Sequence, residues 1–187
     1  DAVILAGSAS NMASVGINTS YNATNTIAIE LQHLMQRELQ TWQDKANALQ
    51  YEAIATVYAY APNAKLSQPM LALKTDASNP AQFVFDRGQL GGEPGLLAFV
   101  ISASSGDRLT LQNQVISQAA KQLNLPNLQA IQTIVEKRAT FACTPQLQRP
   151  ATQIAPGLLA CGDYIDGPYP ATLEGAVRSA KLAVNLI

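Results

Sequence analysis

Gly157-Leu158-Leu159-Ala160-Cys161-Gly162-Asp163, then Tyr164-Ile165-Asp166-Gly167-Pro168-Tyr169-Pro170, then Ala171-Thr172-Leu173-Glu174-Gly175-Ala176-Val177-Arg178-Ser179, is the stretch that decides the fold. The apolar run 157–161 reads as a buried strand ended by Gly162-Asp163. Residues 166–170 read as a tight turn. Residues 171–187 read as a helix with Leu173, Ala176, Val177, Ala180, Val184 and Ile187 on one face. A carboxylate at the C-terminal end of a buried strand sits where ligands bind in α/β sheets. The free N–H groups at the start of the next helix carry partial positive charge, suited to a carbonyl oxygen that gains electron density when a ring is reduced. Asp163 therefore either accepts hydrogen bonds from a polyol hydroxyl or caps the helix. Gly162, Gly167, Ala171, Gly175 and Ala176 keep side chains clear of a flat ligand.

Outward from that stretch the chain alternates strands and helices. Residues 1–7 read as a short buried strand and 11–25 as a polar loop. Residues 26–50 carry Ile27, Leu31, Leu34, Met35, Leu39 and Trp42 at helical spacing, with a break expected at Trp42-Gln43-Asp44. Residues 51–60 are β-branched and aromatic and read as a strand stopped before Pro62. A short strand is expected within 69–74. Residues 82–86 and 96–103 read as a hairpin with a long Gly-rich connection. Residues 109–123 form an amphipathic helix with Leu111, Val115, Ala119 and Leu123 inward, Ile116 and Ala120 widening that face, and Asp107 as N-cap. Residues 130–142 alternate as one long strand, and 145–156, with three prolines, read as loop.

Composition bounds the function. The 187 residues are 48% hydrophobic but only 13% charged, with 17 Gln filling part of the polar share. Such a chain is too apolar for disorder. The net charge of −1 gives no electrostatic basis for binding nucleic acid. Two cysteines and one histidine supply neither a disulfide framework nor a zinc site, so no metal is expected. No apolar run reaches the roughly 18 residues of a membrane span. A chain that opens at Asp1 directly into an apolar strand reads as a piece of a longer protein.

The run from Gly162 to Ser179 resembles the C-terminal FAD-binding signature of the flavin amine oxidase and phytoene desaturase superfamily. Glu136-Lys137-Arg138-Ala139-Thr140-Phe141-Ala142-Cys143-Thr144-Pro145, with Arg149-Pro150, narrows the resemblance. Together with Gln82-Phe83-Val84-Phe85-Asp86-Arg87-Gly88 and Val100-Ile101-Ser102-Ala103, it is similar to the hydroxysqualene dehydroxylase family, also described as squalene-associated FAD-dependent desaturases. The resemblance covers about residues 50–187. It implies an FAD-dependent oxidoreductase acting on an isoprenoid lipid. A reduced flavin would deliver hydride to an allylic centre as hydroxide leaves, giving squalene. Asp163, with Gly162, matches the position that holds a ribityl hydroxyl of FAD. Thr172 and Leu173 match the start of the helix whose N–H groups face the flavin pyrimidine edge. Tyr169, Pro170 and Ala171 match residues beside the isoalloxazine ring. No catalytic residue is assigned.

The fold class this implies is α+β. A substrate domain, residues 8–142, would hold a mixed, largely antiparallel sheet with packed helices. Residues 1–7 and 143–187 would be a strand and a returning strand and helix of a Rossmann-like FAD domain. The family's Gly-x-Gly-x-x-Gly fingerprint is missing, because Gly88, Gly91, Gly92 and Gly95 have the wrong spacing. The isolated chain is therefore expected to hold FAD weakly, to be inactive alone, and to self-associate through uncovered apolar surface. A cytoplasmic parent, peripheral at the membrane, follows from the lipid substrate. A carotenoid desaturase or amine oxidase is the nearest alternative. A non-catalytic apolar-ligand or interaction module is the alternative of another class.

Other residues carry two readings each. Glu136-Lys137-Arg138 is a solvated charge run or a polar entrance for the leaving hydroxyl. Asp86 and Arg87 form a turn ion pair or approach the ligand. Cys143 is a small buried group or a reactive thiol, Cys161 is structural, and His33 is a surface group. Tyr58, Tyr60, Phe83, Phe85 and Phe99 are strand core or lipid-tunnel lining.

Overall fold

Twelve elements follow one another in the computed structural model, which describes residues 2–16 and 26–187. They are β1 (Val3–Leu5), α1 (Ala9–Met12), α2 (Thr26–Asn47), β2 (Tyr51–Tyr60), β3 (Met70–Ala72), β4 (Phe83–Asp86), β5 (Leu96–Ile101), α3 (Arg108–Leu123), β6 (Gln129–Phe141), β7 (Gln153–Ala155), β8 (Leu158–Ala160) and α4 (Leu173–Asn185). The class is α+β, as expected. The chain divides into two compact units, one of residues 1–50 with 141–187 and the other of residues 51–140. The long helix α2 thus groups with the chain ends, whereas the sequence reading placed the first boundary at residue 7.

The 51–140 unit is built on a five-stranded sheet in the order β3-β4-β5-β2-β6. The β3–β4, β4–β5 and β5–β2 pairings are antiparallel, so the hairpin read from 82–103 is present. Strand alternation sorts the sheet into two faces. Ala55, Val57 and Ala59 of β2, Leu97, Phe99 and Ile101 of β5, and Val84 of β4 are buried with Leu111, Val115 and Ala119 of α3 in one core. Asp107 caps α3 as expected, its carboxylate accepting from the N–H groups of Leu109 and Thr110 at 3.0 Å each.

One buried residue of α3 reads as surface in the sequence. Gln118 is fully enclosed, and its amide takes the N–H of Ala81 and donates to the carbonyls of Ala81 and Lys74. Gln114 and Gln122, one turn to either side, bond the backbone of Ala77 and Lys74. The glutamines filling the polar quota therefore form a stripe that satisfies the backbone of the 74–81 connection.

The other unit holds a three-stranded sheet in the order β1-β8-β7, with β1 parallel to β8 and β7 antiparallel to it. β7 lies inside the segment read as loop, three residues being too few to show a period among prolines. The four-residue α1 runs into the start of the loop expected over 11–25, and residues 17–25 of that loop lie outside the described residues. Helix α2 runs unbroken through Trp42, whose indole N–H donates to the carbonyl of Ala151 at 2.7 Å. Among the described side chains of α2, Trp42 and Ala46 are buried, while Leu31 and Leu34 are exposed.

Candidate functional site

The turn from β8 to α4 is closed on itself. The carbonyl of Asp163 accepts from the N–H of Ala171 at 3.2 Å, which brings the two ends of the 162–172 loop together. Tyr169 and Ala171 both adopt positive φ, 58° and 56°, so the loop enters the helix through two left-handed residues around Pro170. A side chain at position 175 would strike the carbonyl of Tyr169, so only glycine lets this loop lie against the first turn of α4.

The floor under this loop comes from neighbouring side chains. Arg149, its side chain only 11% exposed, donates to the carbonyls of Ile165, at 2.7 Å, and Gly167, and pairs with Asp166 at 3.4 Å. Tyr164 is buried edge-on to Trp42, with ring centroids 6.2 Å apart. Ser179 of α4 accepts from the N–H of Gly162 at 2.9 Å and sits 3.0 Å from its carbonyl oxygen. That hydroxyl fastens the helix to the strand end. Arg149 and Ser179 lie within the quoted motif runs, but their positioning roles are missed in the sequence because polar side chains read there as surface.

The seven site residues expected from sequence fall together on this loop. Thr172 is the N-cap, its hydroxyl accepting from the N–H of Gly175 at 3.0 Å. The cap reading of Asp163 is therefore overturned. The Asp163 carboxylate is half-buried and has no hydrogen-bond partner among the described residues. The N–H groups of Leu173 and Glu174 likewise have no acceptor among the described residues. One carboxylate and two amide donors thus remain open at the C-terminal edge of β8. Tyr169 is half-exposed beneath the Arg178 guanidinium, 4.7 Å from the ring centroid; Gly162 is half-buried and Pro170 exposed. This donor and acceptor set fits the ribityl and pyrimidine end of a flavin. The Gly-x-Gly-x-x-Gly run that holds a pyrophosphate in dinucleotide-binding folds does not occur in the sequence.

The face of α4 that is buried differs from the expected one. Gly175, Ser179 and Ala183 pack inward, while Leu173 (89% exposed), Val177, Val184 and Ile187 face out. The small stripe wins because the Ser179–Gly162 contact requires the helix to approach closely.

In the 51–140 unit the aromatic residues separate cleanly. Phe99 belongs to the core under α3. Tyr58, Tyr60, Phe83 and Phe85 are on the opposite, open face. Cross-strand pairing lines up Tyr58, Ala98, Phe85 and Met70 in one row and Thr56, Val100, Phe83 and Ala72 in the next. Phe83 and Met70 are more than a third exposed. This is a broad apolar face on four strands.

The remaining candidates settle as structure. Asp86 is buried and makes no ion pair with Arg87. Burial raises its carboxyl, but hydrogen bonds from the Gln89 side chain and from the N–H groups of Leu66, Gln89 and Gly88 outweigh this and hold its pKa below the ordinary value. Cys143 is exposed rather than buried, having passed the end of β6. Cys161 is buried, which raises its thiol pKa. Glu136, Lys137 and Arg138 are all exposed, as is His33. Among the described residues no His/Cys/Asp/Glu cluster could hold a metal, and no helix is long and apolar enough to cross a membrane.

Comparison with known proteins bears on this site. The chain is similar to a hydroxysqualene dehydroxylase. The relative, from Rhodopseudomonas palustris, is 35% identical over 101 residues, covering 46% of this chain. The matched part is 23% of that protein, so this chain spans about a quarter of the relative's length. No family model matches. Among solved structures, an oxidoreductase from Methanosarcina mazei superposes with a TM-score of 0.52 at 14% identity, over 76% of this chain and 36% of that one. A protein from Pyrococcus furiosus superposes with a TM-score of 0.53 at 10% identity, over 78% of this chain and 34% of that one. These two likenesses concern the fold. The dehydroxylase resemblance read from the motifs is thus matched by an independent sequence likeness.

Proposed function

We propose that this chain is the C-terminal part of an FAD-dependent oxidoreductase that acts on an isoprenoid lipid, reducing hydroxysqualene to squalene with loss of the hydroxyl. The observation that carries this reading is the open set of Asp163 carboxylate and Leu173 and Glu174 N–H groups at the end of β8. The 35% identity to the dehydroxylase supports the substrate class. On this reading the 1–50 and 141–187 unit is the FAD domain, of Rossmann type, and the 51–140 unit is the substrate domain. Asp163 would hold a ribityl hydroxyl, and the α4 N-terminus would face the pyrimidine edge. Tyr169, Pro170 and Ala171 would shield the ring. FAD bound there supplies the hydride chemistry. The protein orients the ring through Arg149 and Ser179 and keeps water from the lipid with the apolar sheet face.

The test uses the longest natural polypeptide that contains residues 1–187. The expected result is a yellow protein that bleaches on reduction and yields squalene, with flavin occupancy cut about tenfold by Asp163→Ala. Full flavin occupancy in that variant defeats the site assignment. Turnover of a carotenoid or an amine in place of hydroxysqualene replaces the substrate. Binding of isoprenoid without any flavin favours a non-catalytic lipid-binding module.

A further inference from the structure

The first turn of α4 carries its own competitor for the open amides. Glu174 stands two residues past the Thr172 cap, where a carboxylate is drawn to the free N–H groups and the positive end of the helix. Folded back there, it would occupy the Leu173 and Glu174 donors and set a negative charge where the flavin carbonyl edge would lie. The structure has the other arrangement. The Glu174 carboxylate runs one turn down the helix and accepts from Nε of Arg178 at 2.6 Å.

Arg178 is itself held in place. Its guanidinium lies over the Tyr169 ring, 4.7 Å from the centroid. That ring stands on a fixed piece of backbone: Tyr169 sits at φ 58°, and its carbonyl accepts from the Thr172 hydroxyl at 2.7 Å. Ring, cation and carboxylate thus form a chain from the loop to the helix. The other cations between residue 149 and the chain end are Arg149 and Lys181. Arg149 is committed to the carbonyls of Ile165 and Gly167. Lys181 is seven residues beyond Glu174, about 10 Å further along the helix axis. The Glu174 and Arg178 side chains are both about half exposed, so their ion pair adds little to stability. Its consequence is where it puts the charge.

We propose that Arg178 is a positioning residue of the flavin site: by holding the Glu174 carboxylate down the helix, it keeps the two open amides of α4 available to the pyrimidine edge. The inference rests on the flavin reading above and adds the residue that guards the helix end. In this role Arg178 acts only through Glu174, and makes and breaks no covalent bond.

The test loads the longest natural polypeptide containing residues 1–187 with FAD and compares it with Arg178→Met, Arg178→Lys and Glu174→Gln/Arg178→Met. Flavin fluorescence gives the FAD dissociation constant, and dye equilibration gives the two-electron midpoint potential. Thermal melts check that each variant is folded. Arg178→Met frees the carboxylate, so FAD should bind about threefold more weakly, the scale of one charge at a helix end. The potential should fall in the same variant, because the reduced ring gains electron density at that edge. Arg178→Lys keeps a cation four residues from Glu174 and should stay close to the native affinity. Glu174→Gln/Arg178→Met removes the freed charge and should recover the native constant. If that variant stays as weak as Arg178→Met, Arg178 serves only as packing on Tyr169 and the inference fails. It fails equally if Arg178→Met binds FAD as the native protein does; in both cases the flavin reading stands. A native protein that binds no FAD takes both down.

Discussion

Replacing Arg149 separates two ways in which it could hold the 162–172 loop. Its guanidinium donates to the carbonyls of Ile165 and Gly167 and also pairs with Asp166. The Asp166 side chain is 71% exposed, so the ion pair is worth at most about 0.5 kcal/mol. Ile165 is 3% exposed, and its carbonyl bonded to a mostly buried cation is worth about 1.5–3 kcal/mol. Arg149→Met keeps the aliphatic stem and loses every donor, so it should cost about 2–3 kcal/mol. Arg149→Lys should recover about half, because a single ammonium does not reproduce the planar fork. Asp166→Ala should cost under about 0.5 kcal/mol. Urea unfolding followed by tryptophan fluorescence reads this directly. Trp42 is the sole tryptophan, and it touches Tyr164 of the same loop. If Asp166→Ala costs as much as Arg149→Met, or Arg149→Met costs nothing, the carbonyl clamp is not what holds the loop.

Other outcomes follow from the same physical accounting. Gln118→Met should destabilise by about 2–4 kcal/mol, because it leaves the buried N–H and carbonyl of Ala81 unpaired, while Gln122→Met at an exposed position should cost under about 1 kcal/mol; faster hydrogen exchange at the Ala81 amide checks the first. The folded-state pKa of Asp86 is lowered, so its stabilisation is complete above the ordinary carboxylate value of 3.8 and is lost as pH falls through the lower folded value. The stability gap between the native chain and Asp86→Asn should therefore close on acidification across that window, measured by thermal melts at stepped pH. Leu173 and Val177 expose an apolar patch on α4, so the chain should associate at micromolar concentration; Leu173→Glu/Val177→Glu should shift light scattering to the monomer, and a native chain already monomeric would refute this.

Local chemistry is what the sequence makes legible. The β2 range, the Asp107 cap and the α3 face were all readable because each depends on residues within a few positions. Asp163 and the α4 N-terminus were legible as a motif, but Thr172 as the actual cap emerged only from the loop's closure through Ala171. The inward face of α4 is not legible in the sequence, because its apolar residues form the more obvious stripe. A serine bonded to Gly162 instead pulls the small side in. Gln118 was invisible for the same reason, since nothing in its neighbours announces that a distant loop needs its amide. Trp42 suggested a break in α2, yet it is fixed by the carbonyl of Ala151, more than a hundred residues away.

The direct pairing of Val3 with Leu158 and Leu5 with Ala160 has a consequence for biosynthesis. The sheet of residues 51–140 is encoded contiguously and can assemble while translation continues. β1 can pair with β8 only after residues 158–160 have left the ribosome, more than 150 residues later. A pairing across so long a stretch of chain carries a large loop-closure cost, so this parallel sheet forms later than the hairpins of residues 51–140.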